Sequence, residues 1–280
     1  MAQTPVCPAG WERLLVCTDG SPESQGAIGE ALVLARLCGS KVYLLQVLET
    51  SSYFEVQATD LLARLEEEIR TQLESIKAEA VGKGVTLEVR VRRSVSAYAA
   101  ILEEAKELQP ELIIMGRYGR TGLARLMVGS VTARVIGYSP FKVLVVPREA
   151  ILSFERILVA NDGSPCSEAA WQEALAVTQR VGASLFAVSV AREEGEITMA
   201  EEIVRKMLAE ANRQGVPLTT LSPQGQQPDD AIVQAALRYQ VSLIIMGSHG
   251  RTGLKRLLMG SVTERVIGQA PCPVLVVKEK

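Results

Sequence analysis

One glycine-containing segment occurs twice in this chain of 280 residues. Residues 112–146 read LIIMGRYGRTGLARLMVGSVTARVIGYSPFKVLVV, and residues 243–277 read LIIMGSHGRTGLKRLLMGSVTERVIGQAPCPVLVV. Aligned without a gap, 25 of the 35 positions are identical. Both copies carry the spacing Gly-x2-Gly-x9-Gly-Ser, at Gly116, Gly119, Gly129 and Ser130, and again at Gly247, Gly250, Gly260 and Ser261. Each follows a short apolar run ending in Met115 or Met246, which reads as a buried strand. A glycine loop between a strand and a helix is where a parallel α/β sheet can receive phosphate. Two intact copies imply two such sites.

The duplication extends further. RLLVCTDGS at Arg13–Ser21 matches RILVANDGS at Arg156–Ser164, each a strand running into Asp-Gly-Ser-Pro. From Asp19 to Gly116 is 97 positions and from Asp162 to Gly247 is 85, so the first repeat is 12 residues longer in its middle, an excess expected within Thr50–Arg70. The first repeat predicts strands at 13–18, 41–48, 85–92, 111–115 and 142–147, with helices at 22–38, 57–81, 96–108 and 129–137. Ser21 reads as an N-cap with Pro22 in the first helical position, and Ser164–Pro165 repeats that start. Leu61, Leu65, Ile69, Leu73 and Ile76 recur at spacings of three and four and predict one apolar helix face. The second repeat predicts strands near 156–161, 184–190, 216–221, 242–246 and 273–278. Near-continuous apolar strands joined through helices argue for a parallel sheet covered on both faces. Right-handed crossovers then give two tandem doubly wound, five-stranded, Rossmann-like α/β domains, 1–150 and 151–280, with Pro147–Phe154 as the boundary. In such sheets ligands bind beyond the carboxyl ends of the strands.

Composition narrows the function. Apolar residues make up 48% and charged residues 22%, as in globular chains, and a net charge of −2 offers no footprint for nucleic acid. No run approaches 18 apolar residues, so no membrane span is expected. The five cysteines, Cys7, Cys17, Cys38, Cys166 and Cys272, are odd in number and lack Cys-x-x-Cys spacing. Neither a zinc site nor a disulfide framework is expected, and with no signal peptide in view the reading is a reduced, cytoplasmic compartment. Neither Gly-x4-Gly-Lys-Ser/Thr nor Gly-x-Gly-x-x-Gly occurs, and no catalytic or metal-binding cluster is visible.

The candidate ligand groups lie at the strand ends. Gly116, Gly119, Gly247 and Gly250 let backbone approach a ligand. Gly129–Ser130 and Gly260–Ser261 open helices whose first amides have no internal partner, with Thr132 and Thr263 in reach. An ordinary helix cap is the competing reading, since Ser261-x-x-Glu264 fits a capping box. Asp19 and Asp162 read either as turn-forming residues or as carboxylates meeting ribose or a metal on the phosphates. Arg120 and Arg251, with Arg125 and Arg256, face phosphate or solvent. Met115 and Met246 read as walls of the site. His249, whose counterpart is Tyr118, has no triad partners and reads as a loop residue.

With Asp19 and Asp162 at the first strand end, LLQV and AVSV in the second strand, Gly-x2-Gly-x9-Gly-Ser and a terminal VLVV strand, the chain resembles a tandem universal stress protein of the type whose repeats carry the ATP-binding motif. The resemblance covers nearly the whole chain. It implies an adenine nucleotide alpha hydrolase-like fold with strand order 3-2-1-4-5. It places adenine near Val47 and Val190, and the aspartates on the nucleoside side. Gly116, Gly119, Gly247 and Gly250 flank ribose and phosphate, and Gly129, Ser130, Val131, Gly260, Ser261 and Val262 hold the phosphate tail. It implies ATP with Mg2+ or Mn2+, a pseudo-dimer built within one chain by Val143–Val146 and Val274–Val277, and room for a further homodimer. The role it implies is a nucleotide-dependent stress sensor or regulator, acting on an unknown protein partner through the loops at 120–127 and 251–259. The alternatives are a slow ATPase or phosphotransfer enzyme, and an interaction module with nucleotide as folding ligand. The shorter second repeat implies a less covered pocket there.

Overall fold

The computed structural model describes residues 6–119, 128–225, 227–251 and 259–279. In the first repeat the order is β1 (Arg13–Thr18), α1 (Pro22–Cys38), β2 (Lys41–Glu49), α2 (Ser52–Gln57), α3 (Thr59–Gly82), β3 (Thr86–Ser94), α4 (Ala97–Leu108), β4 (Leu112–Gly116), α5 (Ser130–Tyr138) and β5 (Lys142–Val146). The second repeat follows with β6 (Arg156–Ala160), α6 (Pro165–Val181), β7 (Ser184–Val188), α7 (Ile197–Arg213), β8 (Leu218–Leu221), α8 (Pro228–Arg238), β9 (Leu243–Gly247), α9 (Ser261–Gln269) and β10 (Val274–Val277).

The strands form one ten-stranded sheet in the order β3-β2-β1-β4-β5-β10-β9-β6-β7-β8. Each half has the order 3-2-1-4-5 and is parallel throughout. The halves join where β5 and β10 pair antiparallel, with Val143 opposite Val276 and Val145 opposite Val274. The seam side chains from Val143 to Val146 are at most 2% exposed, so the terminal strands that would be edges are core instead. Alternation along each strand divides the core in two. Leu14, Val16, Leu44 and Ile114 share one cluster with Ile157 and Trp171, and Leu15, Leu45 and Ile113 share the opposite one with Leu158 and Ile244. Each cluster spans both repeats.

Helix starts follow the local chemistry. Ser21 and Ser164 are the N-caps of α1 and α6, each with proline next. Ser164 accepts from the Ser167 amide at 3.3 Å, whereas the Ser21 hydroxyl instead donates to Asp19 at 2.5 Å. Both helices end on glycine in the left-handed region, Gly39 at φ 67 and Gly182 at φ 71.

Three expectations need correction. The extra length of the first repeat does fall between its second and third strands, but as two helices: the six-residue α2, then α3, whose 24 residues compare with 17 in α7. The apolar face of α3 runs through Leu62, Ile69, Leu73, Ile76 and Ala80, while Leu61 is 54% exposed. Cys7 is joined to Cys38 by a disulfide, with Cα atoms 4.8 Å apart. The N-terminal segment folds back over the carboxyl end of α1, with Trp11 buried beneath it at 3% exposure. A separation of 31 residues carries no recognisable spacing, and the cysteine-based argument for a reducing compartment lapses with this bond. Among the described residues no helix is long and apolar enough to cross a membrane.

Candidate functional site

Two cavities open at the carboxyl ends of the strands, one per repeat. The first, about 350 Å3, lies over β1, β2 and β4; the second, about 560 Å3, lies over β6, β7 and β9. Both fall in the size range of small-molecule sites. Asp19, Val47, Met115, Gly116, Gly119, Gly129, Ser130, Val131 and Thr132 all line the first. Asp162, Val190, Met246, Gly247, Gly250, Arg251, Gly260, Ser261, Val262 and Thr263 all line the second. Arg120, Arg125, Arg256 and most of the two loops expected to respond to ligand lie outside the described residues. Ile69 of α3 walls the first cavity, and no residue of the shorter α7 lines the second, which accounts for its larger volume.

The helix N-termini supply the anion-binding geometry. Gly129 and Gly260 are the N-caps of α5 and α9, and their amides bond back to the carbonyls of Arg117 and Ser248 at 2.9 Å. The first intrahelical bonds are those from Ala133 to Gly129 and from Glu264 to Gly260, both 2.9 Å. The amides at positions 130–132 and 261–263 therefore precede the helical ladder, on residues that line the cavities, at the positive end of each helix dipole. Ser261 is the first helical residue rather than the cap, so the capping box with Glu264 does not form. Thr132 and Thr263 are buried, and their hydroxyls donate to the carbonyls of Gly116 at 3.0 Å and Gly247 at 2.9 Å. They fasten each helix to the preceding strand.

The protein's own packing gives these glycines a role of its own. A Cβ on Gly247 would lie 2.7 Å from the Cys166 carbonyl carbon, and one on Gly116 would lie 3.0 Å from the Glu23 oxygen. These glycines let the first helix of each repeat cross the end of the fourth strand. A Cβ on Gly119 would lie 2.6 Å from Oδ2 of Asp19, and one on Gly250 would lie 2.5 Å from Oδ2 of Asp162. The second glycine of each motif thus makes room for the aspartate of the first strand.

Asp162 uses both oxygens. Oδ1 accepts from the Ser164 amide at 3.1 Å and Oδ2 from the Arg251 amide at 2.9 Å. Oδ1 of Asp19 accepts from the Ser21 amide at 3.0 Å. Both aspartates are therefore turn formers, and Asp162 also pins its glycine loop, one wall of the second site. Among the described residues no three His, Cys, Asp or Glu groups gather as a metal site.

The two sites differ around this shared frame. Thr18 bonds Ser24 at 2.7 Å, while its counterpart Asn161 accepts from Ser167 at 2.8 Å. Second-site residues not singled out from sequence are Arg192 and Glu196, although their i, i+4 spacing was visible. Glu196 accepts from the Arg192 amide at 2.9 Å and pairs with the guanidinium groups of Arg192 at 3.3 Å and Arg251 at 3.1 Å. These bonds, the one from the Arg192 amide first, hold the Glu196 carboxyl below its ordinary range. In the first site Gln46, buried in the polar break of LLQV, was likewise missed. Tyr118 and Arg117 reach across the seam: Arg117 donates to the carbonyls of Gly268, at 3.1 Å, and Ala270, and Tyr118 donates to Gly268 at 3.3 Å. The loop of the first site thus satisfies the carboxyl end of α9, whose other end opens on the second site. Lys278 does the same for α5, donating to the Gly137 carbonyl at 2.9 Å.

Two doubly wound repeats sharing one sheet, with equivalent cavities at their strand ends, define a tandem α/β protein. The model of the Universal stress protein family matches residues 10–147 and 153–278, and the chain belongs to that family. A universal stress protein of Mycolicibacterium smegmatis is 27% identical over 95% of this chain and 97% of its own length. One from Methanocaldococcus jannaschii is 33% identical over 45% of this chain and 83% of its own length, the extent of a single repeat. The crystal structure of a universal stress protein from Archaeoglobus fulgidus shares the fold, with a TM-score of 0.76 at 23% identity, covering 97% of this chain and all of that one.

Proposed function

We propose that the chain binds an adenine nucleotide, ATP accompanied by Mg2+ or Mn2+, in each of its two cavities, and serves as a nucleotide-dependent regulator. The observation that carries this reading is the pair of helix N-termini at Ser130 and Ser261, whose leading amides belong to residues that line cavities walled by the predicted residues. Phosphates sit at these amides and the nucleoside lies toward Val47 and Val190. Asp162 shapes its site through the loop it pins, Asp19 lies against Gly119 in the first, and no base for activating water is assigned. The sheet shared through β5 and β10 makes the chain an intramolecular pseudo-dimer, so a protein partner would read both sites on one rigid unit. The test is to release what copurifies with the folded protein, identify it by mass spectrometry and then measure ATP binding by equilibrium dialysis with magnesium. Adenine nucleotide released or bound supports the reading. No release, and no binding of added ATP, refutes it.

A further inference from the structure

We infer that Gln46 is a specificity-determining residue of the first site, one that hydrogen-bonds the nucleoside part of the ligand and makes the two sites chemically unequal. The inference rests on the nucleotide reading above. Gln46 is 5% exposed, and its side-chain oxygen is buried with no hydrogen-bond partner, yet the residue lines the cavity. Nearly all buried polar groups in native proteins are paired, so an unpaired side-chain oxygen on a residue that lines a cavity marks a place where a ligand can complete the pairing. Gln46 stands on β2 opposite Thr18 of β1, in a strand whose other buried residues are Val42, Tyr43, Leu44 and Leu45. Gly20, whose φ of +77 accounts for the glycine, lies beside the Gln46 carboxamide.

Position in the sheet decides which part of the ligand it meets. β1 lies between β2 and β4, and α5 follows β4. Neighbouring strands are about 4.8 Å apart, so Gln46 stands roughly 10 Å across the sheet from the strand that leads to the phosphate-facing amides. An uncharged carboxamide at that distance pairs with a donor on the nucleoside, a sugar hydroxyl or an exocyclic amine, and not with phosphate. The second repeat is the internal control. Aligning LLQV with AVSV places Ser189 at the equivalent position. Ser189 is 2% exposed, its backbone amide bonds Leu221 at 3.1 Å, and it does not line the second cavity. The second site therefore lacks this contact and presents Arg192 and Arg251 instead.

The experiment uses the full chain carrying Ser261→Glu, which puts a carboxylate where phosphate would bind in the second site while leaving a residue suited to a helix N-terminus. ATP, 2′-deoxy-ATP, inosine triphosphate and inorganic tripolyphosphate are titrated against this parent, against Gln46→Leu, and against Gln46→Ser, which copies the second repeat. The expected result is ATP binding weakened about ten-fold by either substitution, the scale of one lost hydrogen bond, with tripolyphosphate unchanged within about two-fold. The analogue that already binds weakly to the parent, and loses nothing further on Gln46→Leu, identifies the donor as sugar or base. Gln46→Leu should also leave the ligand-free melting temperature unchanged or higher, because it removes an unpaired buried polar atom. A parent that binds ATP while both variants bind it equally well overturns the inference alone. So does equal weakening of ATP and tripolyphosphate. A parent that fails to bind ATP overturns it together with the nucleotide assignment of the first site.

Discussion

Replacing Gly250 by alanine tests why the motif needs its second glycine. The new methyl group would lie 2.5 Å from Oδ2 of Asp162, an atom already accepting the Arg251 amide at 2.9 Å. The carboxylate cannot simply swing away, since Oδ1 is held by the Ser164 amide at 3.1 Å. The loop must move or the bond from Arg251 must break. A hydrogen bond to a charged group contributes about 1.5–3 kcal/mol, and Gly→Ala at an unstrained position would return about 0.4–1 kcal/mol. The net loss is therefore about 1–2 kcal/mol, which for a chain of this size lowers the melting temperature by roughly 2–6 °C. The assay is denaturant unfolding of the wild type, Gly250→Ala, Asp162→Ala and the double variant. Alanine at 250 should cost little once the carboxylate is gone, giving a coupling of about 1–2 kcal/mol. Gly119→Ala against Asp19 should repeat the pattern, with its methyl 2.6 Å from Oδ2. An equal cost for Gly250→Ala in both backgrounds would refute the reasoning, because the glycine would then serve something other than the aspartate.

Three further outcomes are expected. Arg117→Ala should weaken the seam, since it removes the donor to the Ala270 carbonyl and leaves Gly268 with Tyr118 alone, and Arg117→Lys should restore little because one ammonium cannot span both carbonyls; a lowered midpoint of denaturant unfolding in both variants is the readout. Glu196 has a folded-state pKa below its ordinary value of 4.5, so its contribution is fully present above that value and is lost as the pH falls through the lower, folded one. The melting-temperature difference between wild type and Glu196→Gln should thus be present at neutral pH and vanish in acid. Reduction of the Cys7–Cys38 bond, or Cys38→Ser, should lower stability by up to about 3–4 kcal/mol on chain-entropy grounds, while Cys17 and Cys272 resist alkylation in the native fold because burial raises both thiols, that of Cys272 to about 12.

Much of the fold was legible because the strands are short, apolar and bounded by glycine, proline and serine. The duplicated LIIMG and VLVV runs located β4, β5, β9 and β10 to within a residue, and the repeated Ser-Pro starts located α1 and α6. The short α2 and the break at Ala58 were not legible, since no glycine or proline separates Ser52–Gln57 from the helix formers that follow. The Cys7–Cys38 bond was hidden because it depends on a chain reversal over α1. At the sites, the residues expected from sequence lie on the cavity walls, and the fold adds a reason for the glycines that the sequence does not show. Glycine spacing reads as ligand clearance, and Gly247 and Gly250 also make room for Cys166 and Asp162. Gln46 and Glu196 were missed because their meaning lies in an unpaired atom and in an ion-pair bridge, neither of which is written in residue type alone.

The most direct test of the two-site account is binding stoichiometry by calorimetry, with ATP and magnesium, in the wild type, Ser130→Glu, Ser261→Glu and the double variant. Glutamate at either first helical position favours the helix while repelling phosphate, so folding should be preserved in all four. The account predicts two nucleotides per chain in the wild type, one in each single variant and none in the double variant. Undiminished binding in the double variant would contradict it, because the nucleotide would then lie away from both helix N-termini.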